Sequence, residues 1–263
     1  DRITLTYRET LTAIKKLAGW FVAHGVKRGT HIAVSGKNSS EWAIVYLAAL
    51  YAGGTIIPID YGLHTYEIDS LLKTAKPLFF FVDEEKYEHF FEEAKKQSYI
   101  GEVYSLNGNH ADRYVYNLQA EPLKTNFPLQ ETDTAAILFT SGTMGNPKGV
   151  MLSHRNIVSD CYIAQSHLTI FETDIFYALL PIHHSYTMVA VFIEAISVGA
   201  EIVFGKSLVV SRMMRELKEG KITMLLGVPL LFNKLLAGIL KGVRSKGVFV
   251  YGIIRFLMGI SYL

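Results

Sequence analysis

The sequence A-A-I-L-F-T-S-G-T-M-G-N-P-K-G-V, at residues 135–150, joins a short apolar run to a polar segment. The apolar run, residues 135–139, predicts a buried strand. The following residues 140–147 come almost wholly from Thr, Ser, Gly, Asn and Pro, which is typical of a loop. The stretch therefore predicts a strand that ends in a loop rich in hydrogen-bond donors.

Three kinds of group in this loop suit a polyphosphate: hydroxyls, closely spaced glycines and one ammonium group. They belong to Thr140, Ser141, Thr143, Gly142, Gly145, Gly149 and Lys148. Glycines let backbone N–H groups approach an anion closely, and lysine adds a compact positive charge. A plain surface turn is the alternative, but the joint occurrence of all three features favours a nucleotide loop. The phosphate-loop pattern G-x-x-x-x-G-K-[ST] does not fit, because Pro147 stands where its second glycine belongs.

The loop resembles the signature of the adenylate-forming superfamily, roughly [FY]-[ST]-S-G-[ST]-T-G-x-P-K-G-V, found in acyl-CoA synthetases, luciferases and the adenylation domains of peptide synthetases. The matching residues are Phe139, Thr140, Ser141, Gly142, Thr143, Gly145, Pro147, Lys148, Gly149 and Val150. Met144 stands where the family usually has threonine. The loss of this one hydroxyl is expected to weaken a phosphate contact without removing the site.

Bulk composition narrows the class of protein. The chain has 263 residues, 50% of them hydrophobic, and a net charge of +2 with basic and acidic residues intermixed. These values predict a globular protein without a surface for nucleic acid. Cys161 is the one cysteine of the sequence, which excludes an intrachain disulfide and fits a reducing compartment such as the cytoplasm.

Strands and helices are predicted to alternate along most of the chain. A capping box from Thr6 to Glu9 starts the first helix, and a second one, from Asn38 to Glu41, precedes an apolar helix at residues 42–52. Further strands are expected at residues 32–35, 55–59, 78–82, 103–106, 176–180, 200–204 and 223–227, and further helices at 66–74, 84–96, 156–167, 187–198, 211–219 and after 229. This order predicts an α/β fold with two adjacent, mostly parallel sheets flanked by helices.

Four other stretches resemble family motifs in the expected order: N-S-S-E-W at 38–42, A-G-G-T-I-I-P-I-D at 52–60, L-P-I-H-H-S-Y at 180–186 and G-V-P at 227–229. The resemblance implies a partial N-terminal AMP-binding domain over residues 1–263, truncated relative to the family's large N-terminal domain. One subdomain is expected at about residues 32–168 and the other at about 1–31 plus 173–263. The adenine- and ribose-binding segments and the C-terminal domain with its catalytic lysine are expected to be absent, so the 263-residue chain alone should form no acyl-adenylate.

The resemblance also implies a reaction: ATP-dependent activation of a carboxylic acid, in particular a fatty acid, to an acyl-adenylate and then to an acyl-CoA thioester. ATP, Mg²⁺ and CoA are the implied cofactors and co-substrates. The β- and γ-phosphates would be held by Thr140, Ser141, Gly142, Thr143, Gly145 and Lys148. Thr143 would also lie near Mg²⁺. His184 would be the catalytic residue beside the α-phosphate and would line the acid pocket together with Tyr186 and Pro229.

His183 and His184 are adjacent, and we expect their side chains to diverge rather than to share a metal ion. No H-E-x-x-H or Cys/His spacing supports zinc. His183 is expected to be a structural histidine. Asp60 follows a predicted strand and is interpreted as a turn residue rather than as a ribose-binding acid.

Two other functions stay open: an adenylation domain that loads a carrier protein, and a non-catalytic nucleotide- or lipid-binding relative whose loop has decayed at Met144. The apolar tail at residues 247–263 is too short for a membrane span and contains Arg255. It is expected to be buried structure cut from its packing partner, and peripheral contact with a membrane surface is its alternative.

Overall fold

The computed structural model describes residues 4–124, 128–140 and 147–260, and within these ranges the strands form a large sheet A and a small sheet B. The strands are β1 His31–Ser35, β2 Thr55–Pro58, β3 Phe79–Val82, β4 Glu102–Ser105, β5 Thr134–Thr140, β6 Lys148–Ser153, β7 Ile175–Ala178 and β8 Glu201–Phe204. The helices are α1 Tyr7–Ala23, α2 Ser40–Tyr51, α3 Thr65–Ala75, α4 Glu84–Ala94, α5 His154–His167, α6 Ser185–Thr187, α7 Glu194–Val198, α8 Val210–Glu219, α9 Pro229–Arg244 and α10 Val248–Ile260. A π-helical turn, Met188–Ile193, joins α6 to α7.

Sheet A has the strand order β4-β3-β1-β2-β5-β6. Neighbouring strands run parallel from β4 to β5, and only the pairing of β6 with β5 is antiparallel. The helices α2, α3 and α4 are the crossover connections between the first four strands. The predicted α/β fold with a mostly parallel sheet is therefore confirmed.

Both faces of the central strands of sheet A are buried, as β3 illustrates. Phe79 and Phe81 belong to a core shared with α1 and α2, whereas Phe80 and Val82 belong to a second core shared with α3 and α4. Because successive side chains of a strand point to opposite faces, a strand covered on both sides is apolar throughout. This burial accounts for the unbroken F-F-F-V sequence of β3.

Sheet B consists of the parallel strands β7 and β8, and one of its faces shares the core of sheet A. An aromatic group connects the two: the ring centroid of Phe192, in the π-helical turn, lies 5.8 Å from that of Trp42 and 5.4 Å from that of Tyr46, both in α2. Such edge-on contacts between buried rings stabilise packing. The helix α2 therefore lies between the two sheets and fixes their relative position.

The sequence analysis assigns no element to residues 148–153, which form β6 in the structure; their mostly exposed side chains carry little of the apolar signal that marks a strand. Residues 223–227, expected to be a strand, contribute one bridge in the described structure, between Met224 and Phe176. The hydroxyl of Thr223 instead donates to Asp174 Oδ1 at 2.7 Å, which ties this segment to the start of β7 by a side chain.

The apolar tail forms α10, and its side chains are exposed. Val248, Phe249 and Phe256 have exposed fractions of 80%, 81% and 70%, so the described residues do not cover this helix. The preceding helix, α9, directs Leu231 and Leu235 into the core beneath sheet B. None of the helices in the described ranges combines the length and the apolar character needed to cross a membrane.

Candidate active site

The predicted nucleotide loop lies between two paired strands. Thr140, the last residue of β5, pairs with Lys148, the first residue of β6, and the Thr140 hydroxyl lies 3.5 Å from the Lys148 carbonyl oxygen. Both residues are exposed. Thr140 lies at the carboxyl edge of sheet A, where open α/β sheets bind their ligands. A hydroxyl and an ammonium group at this edge can both donate to phosphate oxygens.

The other predicted loop residues lie outside the described residues: Ser141, Gly142, Thr143, Met144 and Gly145. Their phosphate contacts, and the contact of Thr143 with Mg²⁺, stay predictions. The donors that the structure does describe fit the triphosphate, since ammonium and hydroxyl groups offset its negative charge. Phosphate oxygens and water supply oxygen ligands to Mg²⁺ in nucleotide sites.

Asn38 joins the carboxyl end of β1 to the segment after β7. Its Nδ2 group donates to the carbonyl oxygens of Ala178 and Leu180, at 2.9 and 2.8 Å, and its Oδ1 accepts from the backbone N–H of Ile182 at 3.0 Å. One half-buried side chain thus holds the last residue of β7 and two backbone groups of the loop that carries His183. The sequence analysis missed this role, although a polar residue shortly after a predicted strand is a signal for it.

The expected capping box from Asn38 to Glu41 is wrong. Ser39 caps α2 instead, with its hydroxyl oxygen accepting from Trp42 N at 3.2 Å. Serine and asparagine are both good N-cap residues, so the local sequence allows either position. The Asn38 side chain is directed to β7 and the residues after it, and the Ser39 hydroxyl is the group that caps the helix.

Asp60 follows β2 and faces His183 across the edge of the sheet. Asp60 Oδ1 accepts from Gly62 N at 2.7 Å, which confirms the expected turn, and lies 3.3 Å from His183 Nε2. His183 is only 6% exposed. Burial lowers the pKa of His183 and the neighbouring His184 lowers it further, whereas the Asp60 carboxylate opposes both effects. The imidazole of His183 is therefore neutral at physiological pH.

His184, Tyr186 and Pro229, the predicted pocket residues, are all exposed. His184 begins the helical segment, since its carbonyl oxygen accepts from Met188 N at 2.8 Å. Tyr186 lies in the first turn of that segment, and Pro229 is the first residue of α9. Their side chains are accessible to a ligand, and their roles in binding an acid stay predictions.

The expectation that the two imidazoles diverge is wrong. The ring centroids of His183 and His184 are 4.2 Å apart, and a nitrogen from each ring and an oxygen of Asp60 all lie within 4.8 Å of one another. Adjacent side chains diverge in a strand, but these two lie in a turn closed by a bond from His184 N to Pro181 O at 3.3 Å. The turn thus brings two imidazoles and one carboxylate together at the carboxyl edge of the sheet.

Two cavities, of about 420 and about 290 Å³, lie at the opposite, amino-terminal edge of sheet A. Their linings share Gly29 and His31, at the start of β1. They contain none of the loop or histidine residues discussed above. In open α/β sheets the carboxyl edge is the ligand-binding edge, so we place the candidate site at Thr140, Lys148 and the histidine pair rather than in these cavities.

The chain is similar to known proteins over most of its length. A family profile described as "AMP-binding enzyme" matches residues 1–252. The chain is 26% identical over 264 residues to long chain acyl-CoA synthetase 2 of Arabidopsis thaliana, across 92% of this chain and 39% of that protein. It is 25% identical over 242 residues to crotonobetaine/carnitine–CoA ligase of Proteus mirabilis (strain HI4320), across 88% of this chain and 46% of that protein. The chain thus spans less than half the length of these curated relatives.

Solved structures share the fold. ATP-bound MatB from Rhodopseudomonas palustris is similar with a TM-score of 0.77 and 25% sequence identity, over 88% of this chain and 45% of that one. VinN is similar with a TM-score of 0.78 and 24% identity, over 90% of this chain and 57% of that one, and at this identity the likeness concerns the fold alone. The predicted architecture of the chain is confirmed by both.

Proposed function

Because this chain belongs to the AMP-binding enzyme family, we propose that the protein containing it uses ATP to activate a carboxylic acid and then passes the acyl group to the thiol of CoA. The placement of Thr140 and Lys148 carries the proposal, because it brings a hydroxyl and an ammonium group to the ligand-binding edge of the sheet. The acid is a fatty acid in this proposal. The name of the Arabidopsis thaliana relative, long chain acyl-CoA synthetase 2, supports that choice.

The reaction has two steps. A carboxylate oxygen of the acid attacks the α-phosphorus of ATP, and the bond to pyrophosphate breaks, so that pyrophosphate leaves with the electron pair. The sulfur of the CoA thiolate then attacks the acyl carbonyl carbon, and AMP leaves. Positioning of the two anions and stabilisation of the charge on the transferring phosphate provide most of the catalysis in such reactions.

The residues of the loop act on the triphosphate in this proposal. Lys148 and Thr140 donate to oxygens of the β- and γ-phosphates and so stabilise the negative charge of the leaving pyrophosphate. Ser141, Gly142, Thr143 and Gly145 would complete the same cradle through backbone N–H and hydroxyl groups. Bound Mg²⁺, near Thr143, would neutralise part of the phosphate charge.

His184 acts on the acid in this proposal. Its exposed imidazole stands at the start of the helical segment 185–198 and can donate to the carboxylate, while Tyr186 and Pro229 contact the acyl chain. His183 and Asp60 lie behind it and limit the orientations that the loop can adopt. The position of the acid relative to the α-phosphate would then depend on the loop that Asn38 holds in place.

The test is ATP–pyrophosphate exchange, driven by fatty acids, in the protein that contains this chain. Lys148→Ala should lower the exchange rate at least about 100-fold, the usual cost of removing one donor that stabilises transition-state charge. Lys124→Ala, which removes an exposed lysine elsewhere on the surface, is the matched control and should leave the rate unchanged. Equal rates in the parent and in Lys148→Ala would overturn the proposal.

Two further measurements separate the alternatives. Release of acyl-CoA supports CoA as the acceptor, whereas transfer of the acyl group only to a carrier protein would indicate an adenylation domain of the carrier-loading type. Binding of ATP is measured in the parent and in Met144→Thr. Near-zero binding by both would favour a non-catalytic relative with a decayed loop.

A further inference from the structure

Three groups that commonly bind transition metals converge at the carboxyl edge of the sheet. Asp60 comes from the turn after β2, and His183 and His184 come from the turn before α6. One ligand atom from each lies within 4.8 Å of the others, and His183 Nε2 and Asp60 Oδ1 are 3.3 Å apart. The fold brings them together from distant parts of the sequence.

The His183 ring provides an independent observation. Its Nε2 atom is buried and has no hydrogen bond of acceptable geometry to any of the described residues, although it points towards Asp60. The residue as a whole is 6% exposed. A buried polar atom without a partner destabilises the folded state, and coordination of a metal ion by this nitrogen would remove that cost.

We propose that Asp60, His183 and His184 bind a divalent transition-metal ion, Zn²⁺ in the first place, with a remaining position open to water or an anion. Imidazole and carboxylate together suit Zn²⁺, and three protein ligands plus one open position are a common arrangement. Mg²⁺ does not suit this set, because it prefers oxygen ligands throughout. The site is thus different from that of the Mg²⁺ ion that accompanies ATP.

The distances fit such an ion. In a tetrahedral site with zinc bonds of about 2.0–2.1 Å, neighbouring ligand atoms are about 3.3 Å apart. His183 Nε2 and Asp60 Oδ1 have this separation, 3.3 Å. His184 is exposed, so its ring can rotate and bring a nitrogen within bonding distance of the ion without disturbing the core.

Neighbouring groups hold two of the ligands in place. The backbone N–H of Gly62 donates to Asp60 Oδ1 at 2.7 Å and fixes the carboxylate. The Tyr61 ring meets the His183 ring edge-on, with centroids 6.0 Å apart, and restricts its rotation. Such outer contacts preorganise metal ligands. The metal site and the proposed function share His184, but no part of this reasoning uses the ATP reaction, and metal binding is measured without ATP or acid.

The test is titration of the metal-free protein, prepared without a histidine tag, with Co²⁺ followed by visible absorption, and then with Zn²⁺ by calorimetry. One equivalent of Co²⁺ should give the intense bands of a tetrahedral site, and Zn²⁺ should displace it. Asp60→Asn and His184→Gln should each weaken binding at least about 10-fold. These two positions are at least partly exposed, so both variants are expected to fold even if a change at the buried His183 does not.

His110→Gln is the matched control, because His110 also faces a carboxylate, with its Nε2 atom 3.2 Å from Glu84 Oε2. It should bind Co²⁺ and Zn²⁺ as the parent does, and a 100-fold excess of Mg²⁺ should not displace either ion. The proposal is overturned if the parent gives no tetrahedral Co²⁺ spectrum. It is also overturned if Asp60→Asn and His184→Gln bind as tightly as the parent, or if His110→Gln loses binding to the same extent as they do.

Discussion

The side-chain oxygen of Asn38 accepts a hydrogen bond from the backbone N–H of Ile182 at 3.0 Å and thereby connects the first strand of sheet A to the histidine loop. The same side chain donates to the carbonyl oxygens of Ala178, the last residue of β7, and of Leu180. Asn38 belongs to neither the nucleotide loop nor the histidine motif. The position of His183 and His184 nevertheless depends on it, because it holds the end of β7 and two backbone groups of their loop.

We expect Asn38→Ala to lower the free energy of unfolding by about 2–4 kcal/mol, since three hydrogen bonds of about 0.5–1.5 kcal/mol each are lost. Urea unfolding followed by circular dichroism measures the change. Asn117→Ala is the control: its Nδ2 group makes one exposed bond, to Ala111 O at 2.8 Å, and its loss should cost about 1 kcal/mol or less. Equal losses in the two variants would contradict the role assigned to Asn38.

The capping box of α1 allows a second prediction. Thr6 Oγ1 accepts from Glu9 N at 3.2 Å, and Glu9 Oε2 accepts from Thr6 N at 2.7 Å. Thr6→Ala should destabilise the protein by about 1 kcal/mol, whereas Thr6→Ser should not. Thr12→Ala, in the interior of the same helix, should be close to neutral, because its hydroxyl only bonds back to the Arg8 carbonyl.

The contribution of this cap should also depend on pH. Hydrogen bonds from the Thr6 backbone and side chain hold the pKa of Glu9 below its ordinary value. The folded state therefore favours the ionised carboxyl, and the resulting stabilisation is present at neutral pH and lost as the pH falls through the lowered pKa. Urea unfolding of the parent and Thr6→Ala should show a smaller difference at about pH 3 than at pH 7. An unchanged difference would contradict this interpretation.

Cys161 should resist alkylation in the folded protein. It is 4% exposed, and burial raises the pKa of its thiol to about 12. Because the thiolate is the reactive species, iodoacetamide at pH 8 should label the folded chain at least about 100-fold more slowly than the chain unfolded in urea. Mass spectrometry after timed quenching measures both rates. Labelling at equal rates would show that α5 opens readily or that the thiol is not buried.

Glu194 predicts a stabilising substitution. It is 1% exposed, and neither carboxyl oxygen accepts a hydrogen bond from an N–H or O–H group of the described residues. The Cys161 thiol, a weak donor, faces it. Glu194→Met should raise the free energy of unfolding by about 1–3 kcal/mol, because it removes a poorly solvated polar group. Glu172→Met, at an exposed position, should change it little, and a clear loss of stability in Glu194→Met would contradict the prediction.

Local sequence predicts the central strands well. The run of apolar residues in β3 lies between Pro77 and Asp83, so both its length and its ends are marked in the sequence. β6 is the opposite case, because its formation depends on its pairing with β5, which begins at the pair Thr140–Lys148. Its side chains stay largely exposed. An exposed edge strand that begins with lysine and glycine has no local pattern that separates it from a loop.

Part of the candidate site is predictable from local sequence, and part depends on the fold. Thr140 and Lys148 are found from the sequence because the loop motif is contiguous. The proximity of Asp60 to His183 depends on which strands are neighbours and on the bonds of Asn38, and neither is encoded in a short stretch of residues. Adjacent histidines could be singled out from sequence. That their rings lie side by side follows from a turn whose geometry only the fold reveals.

The π-helical turn at Met188–Ile193 determines which face of α7 is buried. Such a turn contains one residue more than an α-helical turn, and each residue of a helix advances the side-chain direction by about 100°. The extra residue therefore turns every side chain of α7 relative to α6, and Glu194 and Ala195 are the ones that face the core.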